Sequence, residues 1–89
     1  MPPTAIPQAP TLADLPTLRR GRVVRVVLEG PVGARLGELG LTPGTKVSFV
    51  RTAPLGDPIC FRLRGVELCL RRVDAARVEI EASPEDTGS

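Results

Sequence analysis

The feature that most restricts the fold is an alternating segment at residues 59–70, ICFRLRGVELCL. If Arg64 and Gly65 form a two-residue turn, the two arms pair with all their apolar partners on one side. The apolar pairs are Leu63 with Val66, Phe61 with Leu68 and Ile59 with Leu70, and the other side pairs Arg62 with Glu67 and Cys60 with Cys69. Because a shift by one residue would move every side chain to the opposite face, the sequence predicts a β-hairpin of fixed register.

Three further segments have the alternation of half-buried strands, with β-branched residues on the apolar positions. The residues expected to face the core are Val24, Val26 and Leu28 in a strand over residues 22–28, Val47 and Phe49 in the next strand, and Val78 and Ile80 in the last. Residues 71–76 are predicted to form one helical turn. About five short strands joined by Gly/Pro turns are typical of a small closed β-barrel.

One short helix is predicted to begin at Gly30 and Pro31, because proline suits the first helical position. Its apolar face is expected to contain Val32, Leu36 and Leu39. Gly40 fits the left-handed position after the helix, which would bring Leu41 against Leu36 in a Schellman cap. Pro43 and Gly44 then predict a type II turn, since glycine accepts the positive φ that this turn requires.

The chain has 89 residues, which indicates one domain. Residues 1–11 contain four prolines and no charge, and we expect a disordered arm there. Residues 83–89 are expected to be a disordered polar tail, which leaves residues 12–82 as the folded domain. No apolar run approaches the ~20 residues of a membrane span, and no secretory signal is recognisable, so a cytoplasmic location is expected.

Composition argues against several classes of function. The net charge is only +2 and the sole aromatic residues are Phe49 and Phe61, so neither a basic groove nor a base-stacking platform is expected. The chain has no histidine and no G-x-S-x-G motif. We therefore expect no enzyme activity, no cofactor and no nucleic-acid partner, although an RNA-binding module remains a third alternative.

The two cysteines, Cys60 and Cys69, are too few for a disulfide scaffold or a four-thiolate zinc site. In the cytosol we expect reduced thiols. As cross-strand neighbours they are also able to oxidise or to bind a soft metal, for which Glu67, water or a second molecule would have to complete the ligand shell. Two small half-buried side chains are the simplest interpretation, and no metal site is assigned.

Two motifs resemble the FeoA family of ferrous iron transport proteins. Residues 36–45, LGELGLTPGT, are similar to its leucine-bearing helix followed by L-G-L-x-P-G-T, and residues 53–58, APLGDP, match its A-P-L-G-D-P loop. Arg64-Gly65, the L-x-L-R of residues 68–71 and Ala75-Ala76 resemble its hairpin and final turn. The resemblance implies a mainly β fold, an SH3-like barrel of about five strands with one short helix and a short helical turn. It also implies a partner, the FeoB-type membrane permease for ferrous iron.

These observations predict an accessory protein that binds the permease and modulates iron transport. The APLGDP loop places Leu55 at a tip that no strand or helix shields, and loops on a stiff scaffold commonly carry recognition. The predicted partner-binding residues are Leu39, Leu41, Pro43, Pro54, Leu55, Gly56 and Asp57. These residues lie in two candidate surfaces, the helix–turn segment 39–44 and the loop 53–58. Both segments are equally able to be simple turns that let the barrel close. The alternative function is a transition-metal-binding or metal-sensing module, and a homo-oligomer formed through an exposed strand edge remains open.

Overall fold

A computed structural model describes residues 9–82 as five antiparallel strands with short helices around one core. The strands are β1 (Arg20–Val26), β2 (Lys46–Thr52), β3 (Ile59–Leu63), β4 (Val66–Leu70) and β5 (Val78–Ala82). A 3₁₀ turn (Leu12–Asp14) precedes the helices α1 (Leu15–Leu18), α2 (Gly30–Glu38) and α3 (Arg72–Ala75). The strand order in the sheet is β4-β3-β2-β1-β5.

The predicted hairpin is confirmed. β3 and β4 pair Ile59 with Leu70, Cys60 with Cys69 and Leu63 with Val66, as the alternation requires. Arg64 and Gly65 have φ angles of 50° and 78°, so both central residues of the turn are left-handed. This is the backbone of a type I′ turn, whose twist matches that of the flanking strands.

In residues 9–82 the sheet does not close fully into the predicted barrel. Within residues 9–82, β4 and β5 are the two edges of the sheet and do not pair with each other. Leu12 and Leu15, from the 3₁₀ turn and α1, are fully buried in the core. The local sequence pattern does not predict this burial, because it depends on contacts with distant strands.

The start of the described chain lies along β5. The Ile80 N–H donates to the Pro10 carbonyl at 2.8 Å, and Thr11 forms an isolated bridge with Glu79. Pro10 and Thr11 fall within the segment predicted as a disordered arm. The remainder of that arm, residues 1–8, and the predicted tail, residues 83–89, lie outside the described residues.

The helix α2 ends in the predicted Schellman cap. The Leu41 N–H donates to the Leu36 carbonyl at 2.9 Å, and the Gly40 N–H donates to the Gly37 carbonyl at 3.0 Å. Gly40 has a φ of +110°, the left-handed conformation that glycine adopts without strain. Leu36 and Leu41 are both in the core, so the cap fixes the end of α2 to the sheet.

Several positions predicted to face the core are exposed. Val24 is exposed, and Val23 is buried in its place, because β1 has an irregularity between Val23 and Arg25 that shifts the register against β5. Such a bulge exchanges the faces of the residues that follow it, and Val26 and Leu28 are partly buried. Val32 is half exposed, so only Leu36 of the predicted helix face lies fully in the core.

None of the helices in residues 9–82 combines the length and apolar character needed to cross a lipid bilayer.

Candidate functional site

The loop at residues 53–58 presents its leucine almost completely to solvent. Leu55 is 96% exposed, more than any other large apolar side chain in the described part of the chain. The Gly56 N–H donates to the Ala53 carbonyl at 2.7 Å, and the Ala53 N–H donates to the Pro58 carbonyl at 3.0 Å. These two bonds close the loop at its tip and at its base, so Leu55 projects from a turn of defined shape.

Arg72 holds the same loop from outside. Its Nε donates to the Gly56 carbonyl at 2.7 Å, and its backbone N–H donates to Asp57 Oδ1 at 2.9 Å. Arg72 is the first residue of α3, where a free backbone N–H needs an acceptor. Asp57 therefore caps α3 while α3 fixes the loop. Local patterning missed this contact because 15 residues separate Asp57 from Arg72.

The second predicted segment is divided between core and surface. Leu41, one of the predicted partner-binding residues, is 1% exposed, because the Schellman cap turns its side chain into the core. Leu39 is 38% exposed and Pro43 is exposed. The type II turn is present, with a 3.1 Å bond from the Thr45 N–H to the Thr42 carbonyl. The surface available here is thus smaller than predicted.

A shallow apolar groove extends this segment along α2. Its volume is about 380 Å³, and it is lined by Pro31, Val32, Arg35, Leu36 and Leu39. Where the connection from β1 meets α2, Gly33 lies so close to the Leu28 carbonyl that a Cβ would collide with it. Its neighbour Val32 is half exposed and lines the groove.

The two predicted surface segments do not meet. Residues 42–45 lead into β2, and residues 53–58 follow it. Since a strand rises by ~3.3 Å per residue, the two turns lie about 20 Å apart at opposite ends of β2. The predicted residues therefore form two separate patches, one around Leu55 and one around Leu39 and Pro43.

A third cluster lies on the face of the hairpin opposite the apolar pairs. Cys60 and Cys69 form a disulfide, with their Cα atoms 4.0 Å apart. This differs from the reduced thiols expected from the sequence. The register places the two residues directly opposite each other, which brings their sulfur atoms within reach of a bond. Glu67 lies on the same face as Cys69, and its carboxylate and the two sulfur atoms all lie within 4.8 Å of one another.

Comparison with known proteins identifies the family. The sequence profile of the FeoA domain matches residues 11–82. This chain belongs to the FeoA domain family. The Fe(2+) transport protein A/Fe(2+) transporter FeoB fusion protein of Porphyromonas gingivalis (strain ATCC BAA-308 / W83) is 37% identical over 70 residues. The match covers 79% of this chain but only 8% of that relative, so this chain corresponds to a small part of its length.

Solved FeoA proteins share the fold. The solution structure of the FeoA protein from Chlorobium tepidum is 37% identical, with a TM-score of 0.78 over 88% of this chain and 74% of that one. The crystal structure of Stenotrophomonas maltophilia FeoA complexed with zinc is 34% identical, with a TM-score of 0.67 over 83% of this chain and 92% of that one. That protein is described as a procaryotic SH3 domain protein. The mainly β, SH3-like fold inferred from the sequence is thus confirmed.

Proposed function

We propose that this FeoA domain is an accessory protein of ferrous iron uptake, which binds the cytosolic side of a FeoB-type iron permease and modulates its transport. The observation that carries the proposal is the exposure of Leu55 on a loop held by Arg72. The proposal assigns the chain no catalytic step and no resident cofactor.

The relative in which the two proteins are fused supports this partner. In the Porphyromonas gingivalis protein, an Fe(2+) transport protein A and an Fe(2+) transporter FeoB belong to one polypeptide. A covalent linkage gives two domains a high effective concentration for each other. A FeoA domain without such a linkage needs a binding surface strong enough to replace it.

The Leu55 loop has the properties of such a surface. Burying a leucine side chain is favourable by ~1.5–3 kcal/mol, and the exposed Leu55 does not contribute this free energy to the stability of the chain. Because the loop is already fixed by hydrogen bonds from Gly56, Ala53 and Arg72, little conformational entropy remains to be lost on binding. We therefore place the main contact at residues 54–57, with Leu55 entering an apolar pocket of the permease. The patch around Leu39 and Pro43 is the second contact.

The test is a pull-down of the permease from the same cell, in detergent, with the wild-type chain and three variants. Leu55→Glu removes the proposed anchor, Val32→Glu changes the α2 groove, and Val24→Glu is a control at another exposed valine. We expect Leu55→Glu to weaken binding roughly 10- to 150-fold, because each ~1.4 kcal/mol corresponds to a factor of ten. Its thermal stability should remain near that of the wild type, and Val24→Glu should bind normally.

Each assay is run in metal-free buffer and in buffer with ferrous iron. Binding that is lost with Leu55→Glu and unaffected by iron supports the adaptor function. Equal binding by Leu55→Glu and the wild type would rule out this surface. Binding that requires iron taken up by the chain itself would favour the metal-binding alternative.

A further inference from the structure

The outer face of the β3–β4 hairpin brings three metal-binding side chains together. The sheet register places Arg51 beside Cys60, Cys60 beside Cys69, and Arg62 beside Glu67. Glu67 and Cys69 lie two residues apart on β4, so their side chains leave the same face of the strand. The resulting triangle consists of two sulfur atoms and one carboxylate oxygen within 4.8 Å of one another.

We propose that Cys60, Cys69 and Glu67 form a three-ligand site for a soft divalent metal ion such as Zn²⁺ when the disulfide is reduced. In the oxidised chain the sulfur atoms are bonded to each other and the site does not exist. Disulfide formation and metal binding at this face therefore exclude each other. Its three ligands are not among residues 54–57, so the site and the proposed contact with the permease can be tested separately.

The chemistry of the three groups suits such an ion. Thiolates select soft or borderline metals, and sites with three protein ligands keep a fourth position for water or another molecule. The carboxylate stays available, because each of its oxygen atoms has more than one lone pair. Cys60 is 5% exposed, whereas Cys69 and Glu67 are exposed, so the ion would enter from the side of β4.

The surrounding charges support the same site. Two thiolates and a carboxylate more than neutralise a divalent ion. Arg51 Nη1 lies 2.8 Å from Glu67 Oε2, and Arg62 Nη2 lies 3.8 Å from Glu67 Oε1. These guanidinium groups offset the excess negative charge. They also orient the carboxylate, as second-layer partners commonly do for metal ligands.

Conversion of the disulfide form to the metal-binding form requires a reductant, for which we take a dithiol. The dithiol donates two electrons and two protons to the bond between Cys60 and Cys69, and is itself oxidised to its disulfide. Each cysteine then releases its proton to solvent as the thiolate binds the ion. The reverse reaction requires loss of the ion and a two-electron oxidant such as a small disulfide.

The test is a titration of the full chain with Co²⁺, whose bonds to thiolates absorb in the near ultraviolet. The chain is reduced with dithiothreitol and desalted without oxygen, and a second sample is left oxidised. We expect charge-transfer absorption that saturates at one Co²⁺ per reduced chain and disappears when Zn²⁺ is added. The oxidised chain should show none, which provides a control without any mutation.

Two matched variants test the carboxylate. Glu67→Gln should weaken Co²⁺ binding by about tenfold or more. Glu79→Gln is the control, because Glu79 is also an ion-paired strand residue, 2.9 Å from Arg25, but lies on β5. It should bind as the wild type does.

Three results would overturn the three-ligand site. The first is no thiolate absorption in the reduced wild type. The second is saturation at half an equivalent, which would mean that two chains share one ion through four thiolates. The third is equal affinity for Glu67→Gln and the wild type.

Discussion

Two leucines in similar Gly/Pro segments differ in their exposure to solvent. Leu41 precedes the turn that contains Pro43 and Gly44, and it is 1% exposed. Leu55 lies between Pro54 and Gly56, and it is 96% exposed. The residue type and the turn-forming neighbours are alike, so neither of them determines which leucine joins the core.

The difference lies in where the backbone hydrogen bonds go. The Leu41 N–H bonds back to Leu36, on the side of α2 that packs on the sheet, and this directs the leucine inward. The bonds of the other loop stay within it or reach Arg72, and none of those described directs Leu55 toward the sheet. The direction of the backbone hydrogen bonds thus distinguishes Leu41, which belongs to the core, from Leu55, which is free to contact a partner.

The largest expected effect comes from truncating the two leucines. Leu41→Ala should lower the free energy of unfolding by ~2–5 kcal/mol, because it removes buried methyl groups and leaves a cavity. Leu55→Ala should change it by no more than ~0.5 kcal/mol, since the side chain makes little contact within the chain. Urea unfolding of both variants measures the difference. Similar losses of unfolding free energy in the two variants would show that Leu55 is also a core residue, and the contrast between the two leucines would then be wrong.

A smaller effect on the free energy of unfolding is expected from substituting the glycines that shape the two segments. Gly40 and Gly56 have φ angles of +110° and +87°, so alanine at either position costs on the order of 1–3 kcal/mol. Gly40→Ala should fall at the upper end, because its Cβ would lie 2.7 Å from Arg64 Cδ, whereas a Cβ at Gly56 meets nothing within 4 Å.

Urea unfolding again measures the stability of these variants, and pull-down of the permease measures their binding. Gly40→Ala should reduce stability more than Gly56→Ala, whereas Gly56→Ala should reduce binding more. A larger loss of binding for Gly40→Ala than for Gly56→Ala would mean that the patch around Leu39 and Pro43, and not the Leu55 loop, is the main contact surface.

What the sequence predicts well depends on contacts between near neighbours. The hairpin register follows from an alternation of period two around one turn, and the type II turn follows from Pro43 and Gly44. The Schellman cap follows from the spacing of Leu36, Gly40 and Leu41. In each case a few consecutive residues carry the whole physical requirement, so no knowledge of the rest of the fold is needed.

What the sequence does not predict depends on distant segments. Val24 is placed on the wrong face because one bulge against β5 shifts the alternation. Burial of Leu12 and Leu15 requires the whole sheet, and the bond between Asp57 and Arg72 requires that α3 return to the loop. The candidate site was therefore found by its motif, while the contacts that hold it became visible only in the folded chain.

The sharpest test of the loop is Arg72→Ala, whose effect on stability should be smaller than that of Leu41→Ala or of the glycine variants. This change removes the bond from Nε to the Gly56 carbonyl and keeps the backbone bond to Asp57. The free energy of unfolding should fall by only about 0.5–1 kcal/mol, because the bond is exposed to solvent. Binding of the permease should weaken, since the loop would then have to be ordered as it binds.

The control for this change is Arg71→Ala, which removes the exposed arginine next to it. Hydrogen exchange should quicken at the Gly56 amide in Arg72→Ala and not in Arg71→Ala. If Arg72→Ala quickens exchange but binds the permease as tightly as the wild type, the rigidity of the loop is not what makes Leu55 a binding residue. Its exposure alone would then separate it from Leu41.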